Sequence, residues 1–113
     1  MRLTGKNILI KLKQKSKGNA LLCKEIEQLI STVEQKTWTT KSEILKDRPD
    51  ADQVHSDGFY FFNINIHRTL ILIEFEASGE ATVVWAGTHK EYELVFKNNK
   101  KTIAKWLSNK GFI

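Results

Sequence analysis

The hydrophobic period of this chain changes once, at Gly58. Upstream, Leu22, Ile26, Leu29, Ile30 and Val33 recur at three- and four-residue steps, the spacing of one helix face, and Asn19 stands where an N-cap belongs. Downstream, residues 59–66, 69–76 and 81–87 are rich in aromatic and β-branched side chains, with a Ser78-Gly79 turn between the last two. A helix with one apolar stripe and a sheet with one apolar face must cover each other. The expected fold is therefore α+β: a small antiparallel sheet of about three or more strands, with N-terminal helices on one face. The aliphatic face of the sheet, carrying Ile64, Ile66, Ile71, Ile73 and Val83, is expected to lie under the 22–33 helix.

Shorter signals place the remaining elements. Across Lys6–Lys15, Ile8, Ile10 and Leu12 alternate as in a strand, while Ile8, Leu9 and Leu12 suit a helix; we favour helix. Thr40 with Glu43 forms a capping-box spacing that predicts a helical turn through Lys46, stopped before Pro49. Thr88 with Glu91 repeats that spacing and predicts a helix from His89. A short C-terminal helix over Lys100–Asn109 brings Ile103, Trp106 and Leu107 to one side, as a core stripe or a partner-binding one.

With 113 residues, 41% of them hydrophobic, and a single proline, the chain reads as one domain over 1–113, which excludes disordered and collagen-like classes. Cys23 stands alone, so no internal disulfide can form and a reducing compartment is expected. The run Ile8-Leu9-Ile10 is too short for a signal core or a membrane span. The expected location is the cytoplasm, with no membrane partner.

The net charge of +5 is unevenly spread: residues 1–17 carry six basic side chains and no acid, and the extension 97–113 carries five lysines and no acid. Two basic ends suit a polyanion such as RNA, or act only as solvated, solubilising faces. On the first reading Lys11, Lys13 and Lys15 are candidates for phosphate contact.

Gly87-Thr88-His89-Lys90-Glu91-Tyr92 concentrates chemistry. A helix start there aims backbone N–H groups outward beside His89 and Lys90, and places His89 and Tyr92 on one helix face. Other chemistries lack their spacing. His55, His67 and His89 sit on separate elements far from Cys23, giving no zinc pattern, and Asp47, Asp50, Asp52 and Asp57 lack the register of a calcium loop. There is no glycine-rich phosphate loop and no serine elbow. No metal or cofactor is expected.

Three segments in order carry a resemblance. The string Leu45-Lys46-Asp47-Arg48-Pro49-Asp50-Ala51-Asp52-Gln53-Val54, then Phe61-Phe62-Asn63-Ile64 and a hairpin, then Trp85-Ala86-Gly87-Thr88-His89-Lys90-Glu91-Tyr92, preceded by Trp38, resembles the HigB family of toxins. The similarity covers residues 1–95, and the tail beyond Phe96 is longer than usual. Membership implies a RelE-like fold, endoribonuclease action on mRNA, often on the ribosome, and a HigA-type antitoxin with a helix-turn-helix. Two positions depart from the family pattern. The hairpin is shortened to Asn65-Ile66-His67 before Arg68, and Val84 stands where a basic residue often precedes the tryptophan.

Metal-free RNA cleavage needs a base for the 2′-hydroxyl, a clamp for the charge on phosphorus and an acid for the leaving oxygen. The resemblance then casts Arg68 as the clamp, His89 as base or acid, Tyr92 as a hydrogen-bonding or stacking group, Lys90 as a phosphate contact and His67 as a second proton carrier. Each has a plainer reading: Arg68 covering a sheet edge or pairing with Glu74 or Glu76, His67 in an exposed turn, Lys90 solvated. The alternative function is a non-catalytic RNA- or protein-binding module on the same fold, stacking on Tyr60, Tyr92 or an exposed tryptophan.

Overall fold

The structure, a computed structural model, describes residues 1–76 and 79–113. In chain order the elements are β1 (Arg2–Thr4), α1 (Lys6–Lys15), α2 (Ala20–Gln35), α3 (Lys41–Asp47), β2 (Asp52–His55), β3 (Phe59–Ile64), β4 (His67–Glu74), β5 (Glu80–Thr88), α4 (His89–Phe96) and α5 (Lys100–Asn109). The predicted meander is present as β3, β4 and β5, extended on either side into a five-stranded sheet of order β1-β5-β4-β3-β2. All neighbours run antiparallel except β1, which pairs parallel with β5 from Arg2↔Glu80 to Thr4↔Thr82. The sheet is thus mixed, where the sequence predicted an antiparallel one. Of the Ser78-Gly79 turn, Ser78 lies outside the described residues, while Gly79 adopts φ 79°.

The caps form as their spacings predict. Asn19 accepts from the Leu22 N–H to open α2, and Thr40 accepts from Glu43 N–H to open α3. The Glu43 carboxylate turns back to the Thr39 N–H and hydroxyl, one residue earlier than the predicted reciprocal partner. At α4 both halves of the box close, between Thr88 and Glu91.

Strand alternation sorts the sheet into two faces. Tyr60, Phe62, Ile64, Ile71, Ile73 and Val83 meet Leu9 of α1 and Leu22, Ile26, Leu29 and Val33 of α2. Phe59, Phe61, Leu70 and Val84 meet Tyr92 and Phe96 of α4 and Ile103 and Leu107 of α5. The Ile103 and Leu107 stripe is therefore core. Two expectations fail on depth: Ile66 sits in the β3–β4 turn at 67% exposure rather than under α2, and Tyr60 is buried rather than free to stack on a base.

Val84 finds its explanation here. The β4–β5 register passes from Leu70↔Trp85 to Ile71↔Val83, so Val84 is the extra residue of a bulge, and it is 8% exposed among the side chains facing α4 and α5. A cation at this position would be buried without a partner, so the C-terminal helix and an apolar residue at 84 go together.

Candidate active site

A latch on β3 sets the first wall. Arg48, in the turn after α3, grips Asp50 through two 2.8 Å hydrogen bonds and donates a third, of 2.7 Å, to the Asn63 carbonyl. The Asn63 N–H returns to Asp50 Oδ2 at 2.8 Å. Burial opposes ionisation of Asp50, but the Arg48 side chain and the Asn63 N–H outweigh it and hold the carboxyl below its ordinary range. Trp38 Nε1–H donates to Asp47 at 2.8 Å, tying the same turn to the core. The Trp38 and Asp47–Asp50 signature thus shapes the site from outside, by fixing Asn63 directly across from Arg68.

The β3–β4 hairpin supplies the second wall. Ile64 pairs with His67, leaving only Asn65 and Ile66 in the turn, and Asn65 takes φ 59°, a conformation asparagine tolerates better than most residues. Beyond the turn, His67 pairs with Thr88 and Arg68 with Gly87, and His89 N–H donates to the Ile66 carbonyl at 3.2 Å. The start of α4 is thereby hydrogen-bonded to the hairpin tip. A side chain at Gly87 would press on the Trp85 ring, 2.8 Å from a built Cβ, and on the Glu91 carboxylate that caps α4.

Between these walls lies a cavity of about 490 Å³ lined by Asn63, Asn65, Ile66, His67, Arg68 and His89. His67 is 8% exposed, and among the described residues its Nδ1 has no hydrogen-bond partner. Burial lowers its pKa below that of a free imidazole, against the pull of the nearby Glu91 carboxylate. The plainer reading of His67 as an exposed turn residue is thus corrected. His89 is exposed, with Nε2 3.1 Å from Glu93 Oε1.

Arg68 and His89 rest on Tyr92. The guanidinium carbon is 4.5 Å from the Tyr92 ring centre, and the His89 ring stacks on it at 5.7 Å and 24°. Tyr92 itself is 2% exposed and its hydroxyl donates to Asn98 Oδ1 at 2.8 Å. Burial raises its pKa, the cation of Arg68 only partly offsetting this, and the phenol stays protonated. Its expected part as a base-stacking or phosphate-binding hydroxyl is corrected to that of a floor, since neither ring nor hydroxyl is free. Arg68 has no carboxylate within ion-pair distance among the described residues, so the pairing with Glu74 or Glu76 does not form.

The cationic candidates divide. Lys13 is paired with Glu27 of α2 at the surface. Lys11, Lys15 and Lys90 are exposed and have no ion-pair partner among the described residues. The Glu91 carboxyl is held below its ordinary range chiefly by the Thr88 N–H and hydroxyl, with smaller contributions from His67 and Lys15. Sequence reasoning missed the Asn63 and Asn65 walls and the role of Asn98. The asparagines around the shortened hairpin, and the Asn98-Asn99 pair after a helix, were the available signals.

Among the described residues no three His, Cys, Asp or Glu side chains gather in a metal-binding arrangement, and no helix is long and apolar enough to cross a membrane. Residues 23–95 match the profile of a family described as HigB toxin, a RelE-like toxic component of a toxin–antitoxin system. No curated protein matches the chain.

Proposed function

The chain belongs to the HigB family of RelE-like toxins, and from that membership and the site we propose that it is an mRNA endoribonuclease that uses the substrate's own 2′-hydroxyl as nucleophile. The family places it in a toxin–antitoxin pair, so an antitoxin is its partner. The reading extends to a HigA-type, helix-turn-helix antitoxin, to cytoplasmic mRNA held on the ribosome, and to a reaction without metal. One observation carries it: two imidazoles and a guanidinium, those of His67, His89 and Arg68, line a single cavity.

His67, kept neutral by burial, takes the 2′-hydroxyl proton as the 2′-oxygen closes on phosphorus. Negative charge then builds on the non-bridging oxygens, where the planar fork of Arg68 can span two of them. His89 delivers a proton to the departing 5′-oxygen, with the Glu93 carboxylate 3.1 Å from its Nε2. The products are a 2′,3′-cyclic phosphate and a 5′-hydroxyl. Tyr92 positions Arg68 and His89, and Lys90, Lys11 and Lys15 attract the flanking phosphates.

The test is induced expression in a bacterial host of the wild type and of an Arg68→Ala, His89→Ala double variant, with growth followed and mRNA 5′ ends mapped. Growth arrest and new 5′-hydroxyl ends are expected from the wild type and neither from an equally abundant double variant. New ends bearing 5′-phosphate would rule out 2′-hydroxyl attack. Folded wild type that retains RNA in low salt without cutting it would return the chain to the class of binding modules.

A further inference from the structure

We propose that Asn98 is a positioning residue for this site, acting through the Tyr92 hydroxyl; the inference rests on the nuclease reading above. Residue 98 lies outside the segment matched to the family, 23–95. It reaches the site because Lys97 and Asn98 adopt successive left-handed conformations, φ 54° and 47°, directly after α4. Asparagine tolerates this conformation better than most residues, whereas for lysine it is uncommon. Here the double reversal folds the chain back so that Asn98 Oδ1 accepts the buried Tyr92 hydroxyl at 2.8 Å. Asn99 then caps α5 through the Thr102 N–H, fixing the far side of the same turn.

The Tyr92 ring is held at three places. Asn98 binds its hydroxyl, Phe61 meets it edge-on at 4.9 Å, and Phe96 lies 5.8 Å away. The two hydrophobic contacts fix the plane of the ring; the hydrogen bond is the directional restraint on its outer end. Arg68 and His89 both rest on this ring, so freedom gained by Tyr92 passes to the clamp and the proton donor together. Displacement of reacting groups slows the chemical step more than it weakens binding, because binding draws on the lysines as well.

Asn98→Gly keeps the left-handed backbone and deletes the acceptor, Tyr92→Phe keeps the ring and deletes the donor, and Asn98→Asp restores an acceptor of the same reach. Cleavage of mRNA on programmed ribosomes gives kcat and KM for each. Asn98→Gly and Tyr92→Phe are each expected to lower kcat about tenfold at unchanged KM, the double variant to be no worse than either, and Asn98→Asp to recover most of the loss. Unchanged kcat in folded Asn98→Gly, or additive losses in the double variant, would overturn the proposal. If the wild type itself cuts nothing, the nuclease reading fails and the relay is read from the His89 ring-proton shifts in NMR. These should move in Asn98→Gly and Tyr92→Phe and return in Asn98→Asp; shifts that stay put in both would overturn it.

Discussion

The Arg68 guanidinium carbon lies 4.5 Å from the Tyr92 ring centre and 5.9 Å from that of Phe61, so one cation is braced by two aromatic side chains. Such contacts orient a planar fork as well as stabilising it, by about 0.5–2 kcal/mol. Arg68→Lys keeps the charge but loses the fork and the stacking. RNA affinity is expected to change little, while the single-turnover cleavage rate falls about 10²- to 10³-fold. A lysine variant as fast as wild type would remove Arg68 from the transition state.

The pH dependence should carry the mark of His67. Burial lowers its pKa and Glu91 partly restores it, so the acid limb of kcat/KM is expected below the pH at which a free imidazole titrates. Glu91→Gln preserves the cap on α4 and removes the charge. Its acid limb should lie lower still; a limb moved to higher pH would contradict the assignment of His67 as base.

The same shift affects stability. As pH falls, the unfolded chain protonates at residue 67 before the folded one, so the fold loses stability between the ordinary imidazole pKa and the lowered one. Urea titrations across that window should show a slope that disappears in His67→Gln. A persistent slope would place the sensitivity elsewhere.

Asp50 works in the same direction, in a more acidic window. Its carboxyl is held low, chiefly by Arg48 and the Asn63 N–H against the cost of burial, so its contribution is present above the ordinary carboxylate range and lost as pH falls through the lowered value. Asp50→Asn is expected to cost about 1–3 kcal/mol at neutral pH and to flatten the acid branch of the stability curve. Circular dichroism during denaturation at several pH values measures both. No loss at neutral pH would show the latch to be dispensable.

The C-terminal helix is expected to be indispensable to the fold. Leu107 is fully buried, and Leu107→Ala should cost about 2–5 kcal/mol. Deleting residues 97–113 would expose Phe96, Val84 and the Trp85 ring, so the truncated chain should lose toxicity through loss of soluble, folded protein. A truncated chain that stays toxic but escapes neutralisation would instead make the helix an antitoxin-docking element.

Local signals were legible in the sequence. The Thr88–Glu91 box and the apolar steps of α2 depend on residues within one or two turns, and both elements form where those signals put them. Strands β1 and β2 were not legible. Arg2–Thr4 is too short to display a period, and its parallel partner lies at the far end of the chain. Asp52–His55 is a polar edge strand that reads as a loop.

The site was legible in its membership more than in its depth. Spacing put His89 and Tyr92 on one helix face, and their rings do stack. Which of them meets solvent is decided by the turn at Lys97-Asn98 and by α5, and no local pattern encodes that. His67 likewise looked like a turn residue because the sequence does not show how far β4 extends into the hairpin.

The pairing of β1 with β5 also bears on the order in which the fold can close. Arg2–Thr4 has no strand to pair with until Glu80–Thr88 is available, more than seventy residues further along the chain, and the start of α4, which docks against the hairpin, follows directly on that strand. Long-range pairing of this kind is slow to close and cannot be bypassed by local helix formation. Until β5 is in place, Arg68 and His67 therefore stand without Gly87 and Thr88, the residues they pair with, and without the start of α4 beside them.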